Sequence, residues 1–265
     1  MKKILSSILT FYLLFLGLST TSLAQEVQPG ITSVTDVHKL VIEQDLASLN
    51  DEGQIVISAT EKELRISKSL FEEYEKAMDS ANKFVILGIA SFDEDYQIIV
   101  PSQDEVADIV AENDKNNEIS TKIAGPDPGL EELNLKSLVE NNRTELEDIY
   151  DTALELWPFT NVDPYTTTVG FFVGKVREGG EWDYKVQPGY SPWYKEFEAY
   201  TYDGKEVISS EFIGNYNYAY VGEFLFSKSI LLLGGGAVGA GVGQPEDDKD
   251  RNTITRGYND AVEYW

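Results

Sequence analysis

A short segment, residues 179–185, combines side chains that could carry out acid–base chemistry. It reads Gly-Gly-Glu-Trp-Asp-Tyr-Lys and places Asp183 between Trp182 and Tyr184, followed by Lys185. Aromatic surroundings raise the pKa of a carboxyl group, whereas a neighbouring ammonium lowers it, and either shift suits a catalytic acid or base. The segment therefore predicts Asp183 and Lys185 as catalytic residues. Trp182 and Tyr184 would then bind the substrate; the alternative is that Asp183 closes a turn within an aromatic core.

A second cluster, Gly-Asn-Tyr-Asn-Tyr at 214–218, supplies amides and phenols. On a β-strand, Asn215 and Asn217 would share one face, because side chains alternate along a strand. Paired amides can orient a polar substrate or stabilise an oxyanion. We therefore predict that Asn215, Asn217 and Tyr218 are catalytic and that Gly214 lies against the substrate. A strand edge or a turn without a functional role is the alternative.

A third cluster is the acidic stretch that follows Gln244-Pro245. Carboxylates at such short spacing can hold calcium or magnesium, so Asp247, Asp248 and Asp250 are the candidate metal ligands. The stretch lacks the glycine and the distal glutamate of an EF-hand loop. The sequence thus predicts either no cofactor or a divalent cation, and the alternative for this stretch is a solvated loop or the start of a helix.

Several kinds of active site are excluded by composition. The chain has no cysteine and one histidine, His38, which lies far from every cluster. Thiolate zinc sites, zinc sites with several imidazoles and histidine-pair catalysis are therefore excluded. The sequence also has no Gly-x-Ser-x-Gly elbow and no phosphate-binding glycine loop. Carboxylates, amides, tyrosines and lysines remain to carry any chemistry.

The chain is strongly acidic, with a formal net charge of −25. Between residues 25 and 164 there are 31 acidic and 10 basic residues, against 15 and 9 between 165 and 265. A protein that binds nucleic acid normally has the opposite balance. Lys175, Arg177 and Lys185 form the one grouping of cations near the clusters. The acidity either keeps the protein soluble or masks a cationic partner.

The N-terminus has the pattern of a signal peptide, residues 1–24. Lys2 and Lys3 precede an apolar stretch at 8–18, and Ser22-Leu23-Ala24 has small residues where a signal peptidase reads them. The apolar stretch is too short for a good membrane anchor. We therefore expect cleavage before Gln25 and a periplasmic or extracellular mature chain without stable membrane insertion.

The remaining chain divides at a breaker, Gly-Pro-Asp-Pro-Gly at 125–129. We predict an α+β fold in which a small acidic α/β region, 25–128, precedes a mostly helical domain with a short β-hairpin, 129–265. The hairpin turn is expected at Asp203-Gly204. Apolar spacing predicts helices within 34–49, 61–82, 130–157 (ended by Pro158), 230–243 and 250–264, and strands at 55–57, 84–89 and 94–100; it leaves 169–176 undecided.

In this order, the clusters resemble the bacterial polymorphic toxin type 44 domain over roughly residues 130 to 265. The resemblance is carried by Gly-Gly-x-Trp-Asp-Tyr-Lys, Gly-Asn-Tyr-Asn-Tyr, Val-Gly at 221–222, the Leu- and Gly-rich stretch near 229–243 and Asp-Asp-x-Asp…Ile-x-x-Gly-Tyr at 247–258. Ile213 and Ala219 stand where the family pattern prefers phenylalanine and glycine. The resemblance implies a toxin or effector delivered by a secretion system, with an immunity protein as partner and RNA as a proposed substrate.

Three functions are consistent with these features. The first is an exported toxin or effector hydrolase acting on a polymer such as peptidoglycan, with Asp183 and one of Glu211, Asp247 or Asp248 as its carboxylate pair. The second is a ribonuclease toxin, the one case in which nucleic acid is a partner. The third is a non-enzymatic secreted or periplasmic binding protein that keeps the toxin fold.

Overall fold

The computed structural model describes residues 28–117, 130–234 and 248–265. The signal peptide, the breaker at 125–129, the glycines between 235 and 243, and Asp247 lie outside these residues. The helices are α1 (Val34–Glu43), α2 (Glu61–Leu64), α3 (Lys68–Ile86), α4 (Gln103–Asn117), α5 (Leu135–Thr160), α6 (Pro164–Val176), α7 (Ser210–Gly222), α8 (Lys228–Leu232) and α9 (Asp248–Tyr264). The strands are β1 (Ala47–Leu49), β2 (Ile55–Ile57), β3 (Ser91–Phe92), β4 (Ile98–Ile99), β5 (Glu131–Asn134), β6 (Glu196–Thr201) and β7 (Gly204–Ser209).

The fold is α+β and mostly helical, as the sequence predicts. The strands form two short antiparallel pairs, β1–β2 and β3–β4, and a three-stranded sheet in the order β5-β6-β7. In that sheet β5 runs parallel to β6, and β6 and β7 form the predicted hairpin. Its turn lies one residue earlier than the predicted Asp203-Gly204: Thr201 pairs with Gly204, so Tyr202 and Asp203 make the turn. Gly204 follows with a φ of +119° that suits glycine.

Local capping sequences define the starts of the first helices. Ser33 accepts a hydrogen bond from the Asp36 amide while the Asp36 carboxylate accepts one from the Ser33 amide, which is a capping box. Thr60 and Glu63 form the same arrangement before α2. Arg65 then takes a left-handed conformation and ends α2. The single helix predicted over 61–82 is therefore two helices, α2 and α3.

Two predicted strands in the first region are corrected by the structure. Phe84 to Ile89 is not a buried strand, because α3 continues through Ile86. Phe84 extends the buried face that α3 forms with Tyr74 and Met78, whereas Ile86 is 70% exposed. The strand predicted over 94–100 is reduced to β4, which pairs with β3.

Three further elements differ from the predictions. Helix α4 lies in a stretch that the sequence marks only as polar, because its buried side consists of small residues such as Ala107 and Val110. Pro158 does not end α5; it is exposed, and the helix continues to Thr160. The undecided segment 169–176 belongs to α6.

The strand on which Asn215 and Asn217 would share a face does not form, because both residues belong to α7. The Ser209 side chain accepts a hydrogen bond from the Phe212 amide and caps the helix. Most of α7 is buried, so its Asn-Tyr alternation does not separate an inner from an outer face. On a helix Asn215 and Asn217 point in different directions, so the shared face expected for them does not exist.

Helix α6 lies at the centre of the core, and every residue from Thr167 to Val176 is buried. Glycines let α4 approach it closely. A Cβ atom on Gly174 would lie 2.7 Å from Val110 Cβ and 2.8 Å from the Ala107 carbonyl oxygen, and Gly170 is equally crowded. One continuous apolar core therefore includes residues from both sides of the predicted boundary.

Within residues 28–117, 130–234 and 248–265, every helix is too short or too polar to cross a membrane.

We expect Gly174→Ala to lower the free energy of unfolding by about 1–3 kcal/mol, because the added methyl group has no space against α4. Gly214→Ala is the matched control, since a Cβ atom there would meet its nearest neighbour, Lys185, at an ordinary 3.8 Å. The control should be neutral or more stable by up to about 1 kcal/mol through helix propensity. Denaturant titration of both variants would measure the difference, and equal losses would contradict the close α4–α6 contact.

Candidate functional site

Three carboxylates surround the buried ammonium of Lys175 at the end of α6. Lys175 Nζ lies 3.2 Å from Asp114 Oδ1 of α4 and 3.3 Å from Glu145 Oε1 of α5. It also forms an ion pair with Glu181, in the segment that follows α6. The Lys175 side chain is only 7% exposed. We call Lys175, Asp114, Glu145 and Glu181 the lysine–carboxylate cluster.

Aromatic rings and a tight chain turn hold Lys175 in place. Its ammonium lies 5.2 Å from the centre of the Phe171 ring and 5.9 Å from that of Trp182. The Trp182 amide donates to the Lys175 carbonyl oxygen at 2.8 Å, which folds the segment back over the end of α6. Gly180 is needed there, because a Cβ atom would lie 2.4 Å from the carbonyl oxygens of Gly174 and Lys175.

Burial and charge act against each other in the cluster. Burial raises the pKa of the Asp114 and Glu145 carboxyl groups, although the Lys175 ammonium lowers both. Burial alone would lower the pKa of Lys175, but its carboxylate neighbours raise it above the usual value, so the ammonium stays charged. Glu145 and Glu181 are 43% and 55% exposed. The cluster therefore has a buried cation and two carboxyl groups that reach solvent.

A network of amides and a phenol lies beside the cluster. Asn142, three residues before Glu145 on α5, donates one hydrogen bond to the Tyr184 hydroxyl at 2.9 Å and one to Asn217 Oδ1 at 2.8 Å. Asn142 therefore ties α5 to α7 and to the segment after α6. Burial raises the pKa of Tyr184, which keeps its hydroxyl protonated, and the charges of Glu181 and Glu145 act in the same direction.

Two buried donors in this part of the structure lack an acceptor among the described residues. They are Asn217 Nδ2 and Trp182 Nε1. Asn217 is fully buried and Trp182 is 2% exposed. Buried donors normally have a partner, so these two atoms mark places where the polar interior is incompletely satisfied.

An open groove leads to the cluster. It lies between α3 and α5, has a volume of about 620 Å³, and has Glu145 and Phe171 in its lining. Phe84 and Ile149 contribute to its floor. We call it the α3/α5 groove. Glu145 thus connects the buried ammonium to a cavity that a ligand could enter.

The first predicted cluster lies in the turn that follows α6. The Asp183 carboxylate accepts a hydrogen bond from the Gly179 amide at 3.1 Å, and Trp182 and Tyr184 are buried. The stem of Lys185 packs on Gly214, and no carboxylate in the described part of the chain pairs with its ammonium. Asp183 therefore forms the turn that the alternative interpretation describes.

The second predicted cluster is distributed over separate contacts. Asn217 joins Tyr184 through Asn142, whereas Asn215 donates to Asp250 Oδ1 at 2.6 Å. The Tyr218 hydroxyl donates to the Leu231 carbonyl oxygen at 3.3 Å, away from both. The contacts among described residues thus do not bring the predicted catalytic residues to one point.

The predicted metal ligands are only partly within the described residues. Asp248 is exposed in the first turn of α9, and Asp250 contacts Asn215. Among the residues whose positions are described, no group of three or more histidine, cysteine, aspartate or glutamate side chains is suited to a metal ion. In the lysine–carboxylate cluster, the three carboxylates hold an ammonium instead.

The lone histidine is satisfied within the core. His38 Nε2 lies 2.9 Å from the Tyr96 carbonyl oxygen, which can only accept, so this nitrogen carries the proton. Nδ1 then accepts from the Tyr74 hydroxyl at 3.1 Å. Burial lowers the pKa of His38. Its contacts are structural and lie outside the cluster.

The sequence alone does not single out Asn142, Glu145 or Asp114. The sequence contains only a weak sign of a site in α5: polar residues at 142, 143 and 145 interrupt its leucine pattern. One of these, Arg143, has a structural explanation, because it pairs with Glu147 at 2.7 Å and Glu223 at 3.0 Å.

Comparisons of the chain with models of protein families, with curated proteins and with solved structures found no match. The resemblance to the type 44 toxin domain therefore stays a hypothesis that rests on the sequence clusters.

We expect Asn142→Leu to lower the free energy of unfolding by about 1–3 kcal/mol, because it leaves the buried Asn217 oxygen and the Tyr184 hydroxyl without their donor. Asn141→Leu, at the exposed neighbouring position, is the control and should change stability by less than about 0.5 kcal/mol. Adding Asn217→Leu to Asn142→Leu should cost less than the two single changes together. Additive losses in denaturant titrations would show that the amide pair is not coupled.

We also expect the stability of Glu145→Gln, relative to the parent chain, to increase with pH. Because burial raises the pKa of Glu145 in the folded chain, ionising it disfavours folding as pH rises above the usual value of 4.5. Glutamine cannot ionise, so the variant escapes this loss. Denaturant titrations between pH 4 and 8 would measure it, with exposed Glu178→Gln as the control for net charge. A pH-independent difference would contradict the partial burial of this carboxyl group.

Proposed function

We propose that the protein is an exported hydrolase of the toxin or effector class that acts on a polymer of the cell envelope, using Glu145 and Glu181 as its pair of carboxyl groups. The observation that supports this proposal is their common contact with one buried ammonium, that of Lys175, while both carboxyl groups remain open to solvent. Paired acidic side chains with different surroundings are the usual arrangement for acid–base hydrolysis.

The two groups have complementary roles in the proposed reaction. Glu145, whose pKa is raised by burial, donates its proton to the leaving oxygen as the glycosidic bond breaks. Because Glu145 and Glu181 contact the same nitrogen atom, their spacing resembles the roughly 5 Å of retaining glycosidases more than the 6.5–9.5 Å of inverting ones. Glu181 therefore forms the bond to the sugar carbon, and Glu145 later takes a proton from the water that releases the product.

Lys175 holds this pair without taking part in bond breaking. Its ammonium contacts both carboxyl groups, and its burial fixes their position. Asn142 and the buried Tyr184 form a hydrogen-bonded pair beside these groups. Asp183 supports the same segment through its turn. In this proposal, the sequence cluster at 179–185 contributes Glu181 and the scaffold around it.

The distribution of charge favours an envelope polymer over RNA. Of the three cations expected to attract a polyanion, Lys175 is surrounded by carboxylates, and Arg177 pairs with Asp108 at 2.7 Å. Lys185 alone is left without a described ion pair. A neutral or mixed-charge polymer avoids the repulsion that a protein of net charge −25 exerts on a polyanion.

The non-enzymatic binding protein is the second candidate, and the burial of several predicted site residues favours it. Trp182, Tyr184 and Tyr218 are all less than a tenth exposed and pack in the core. Ile213 and Ala219, which differ from the type 44 pattern, are fully buried. In this alternative, the residues of the two aromatic clusters stabilise the toxin-like fold, and the chain has lost the catalytic activity. An immunity protein or secretion machinery as partner belongs with the toxin hypothesis.

The experiment is bacterial growth during expression of the mature chain with and without an export signal. We expect killing only with the signal, and its loss in Glu145→Gln and in Glu181→Gln, because each change removes one of the two reacting groups. Glu178→Gln removes the same charge from an exposed neighbouring site and should kill as the parent chain does. Circular dichroism of the purified variants checks that they fold.

Other outcomes identify the competing functions. Killing that persists in both Glu145→Gln and Glu181→Gln would rule out this catalytic pair, and Asp183→Ala and Asn215→Ala would then test the sequence clusters. Killing only without the signal would support a ribonuclease. Absence of killing in every form would support the binding protein.

A further inference from the structure

The α3/α5 groove carries charges that the lysine–carboxylate cluster does not use. Helix α5 lines the groove with acidic residues at helical spacing: Glu145, Asp148, Asp151 and Glu155. Glu145 contacts Lys175, and Glu155 pairs with Lys76 across the groove. Asp148 and Asp151 are exposed and form no salt bridge within the described residues. They give this side of the groove an excess of negative charge, although Asp151 also acts on the nearby Lys76 ammonium.

The opposite side adds a further carboxylate and apolar surface. Asp79 of α3 lines the groove and forms no salt bridge among the described residues. Of the two lysines that line the groove, Lys76 pairs with Glu155, and Lys83 forms no salt bridge among the described residues. Unpaired carboxylates therefore outnumber unpaired cations. At the end of α3, Ile86 is 70% exposed and Leu87 is 38% exposed, and both line the groove. An apolar surface next to an excess of carboxylates suits a ligand that is both cationic and apolar.

The length of the groove fits a short helical ligand. Lys76 and Lys83, which both line it, are two helical turns apart on α3, or about 10 Å. A helix that packs along this length presents cations three or four residues apart to one side and apolar side chains to the other. Cations on such a ligand would face Asp148 and Asp151, and its apolar side chains would cover Ile86 and Leu87.

We propose that the α3/α5 groove docks a cationic amphipathic helix of a partner protein, held by Asp148 and Asp151 on one side and by Ile86 and Leu87 on the other. Charge complementarity selects this partner over an anionic one. Docking does not require bond cleavage, because these four residues are separate from the proposed catalytic pair, although Glu145 of that pair also lines the groove. The proposal therefore holds whether or not the chain is a hydrolase.

The test uses the mature chain and a labelled synthetic peptide of lysine and leucine at helical spacing, with binding followed by fluorescence anisotropy. We expect Asp148→Asn combined with Asp151→Asn to weaken binding about five- to tenfold, because two charge contacts are lost. Glu73→Gln combined with Glu75→Gln is the matched control. It removes the same charge from exposed positions of α3 that do not line the groove, and should change affinity by less than about twofold.

A second variant tests the apolar side. Ile86→Ser should weaken binding about threefold or more, because it removes apolar contact area without altering charge. Equal weakening by the two charge variants would overturn the proposal, since the attraction would then come from the overall charge of −25. Unchanged affinity in Ile86→Ser, or failure of the peptide to bind the parent chain, would also overturn it. The Asp148→Asn/Asp151→Asn variant keeps both Glu145 and Glu181. Its effect on bacterial growth therefore tests the proposed hydrolysis, whereas its affinity for the peptide tests docking.

Discussion

The buried ammonium of Lys175 is the constraint on which much of the structure depends. A cation removed from water is costly unless carboxylates and polar groups compensate for the lost hydration. Here the compensation comes from α4, from α5 and from the segment after α6, through Asp114, Glu145 and Glu181. These elements are far apart in sequence, so one charge brings them to one place. Displacing any of them would remove one of the three carboxylates that compensate for the buried charge.

The remaining packing supports this arrangement. Gly170 and Gly174 bring α4 close enough for Asp114 to reach the ammonium, and Gly180 lets the following segment turn over it. Asn142 then links the same region to α7. Polar contacts and close backbone approaches thus act together, because the glycines set the distances over which the charges interact. The arrangement also leaves Glu145 and Glu181 at the surface, where chemistry with a ligand can occur.

The sequence predicts those parts of the fold that depend on local signals. The hairpin follows from Asp203-Gly204, and the last helix follows from its apolar spacing. Helix α7 is not recognisable from the sequence, because a helix buried on most sides has no amphipathic period and its Asn-Tyr alternation is compatible with a strand. The partners of Lys175 could not be predicted, because their role arises only from contacts between distant elements. The segment 179–185 stands out by its residue types, but nothing in the sequence distinguishes Glu181 within it.

The close fit of α4 on α6 has a consequence for how such a chain can diversify. Gly174 leaves no room for a side chain, and Val110 and Ala107 occupy the space in front of it. Recombination that joined a different N-terminal segment to residues 130–265 would have to supply a helix with matching small side chains and a carboxylate at the place of Asp114. The two parts of the chain are therefore expected to be inherited together, and substitutions at the α4–α6 contact should arise as compensating pairs.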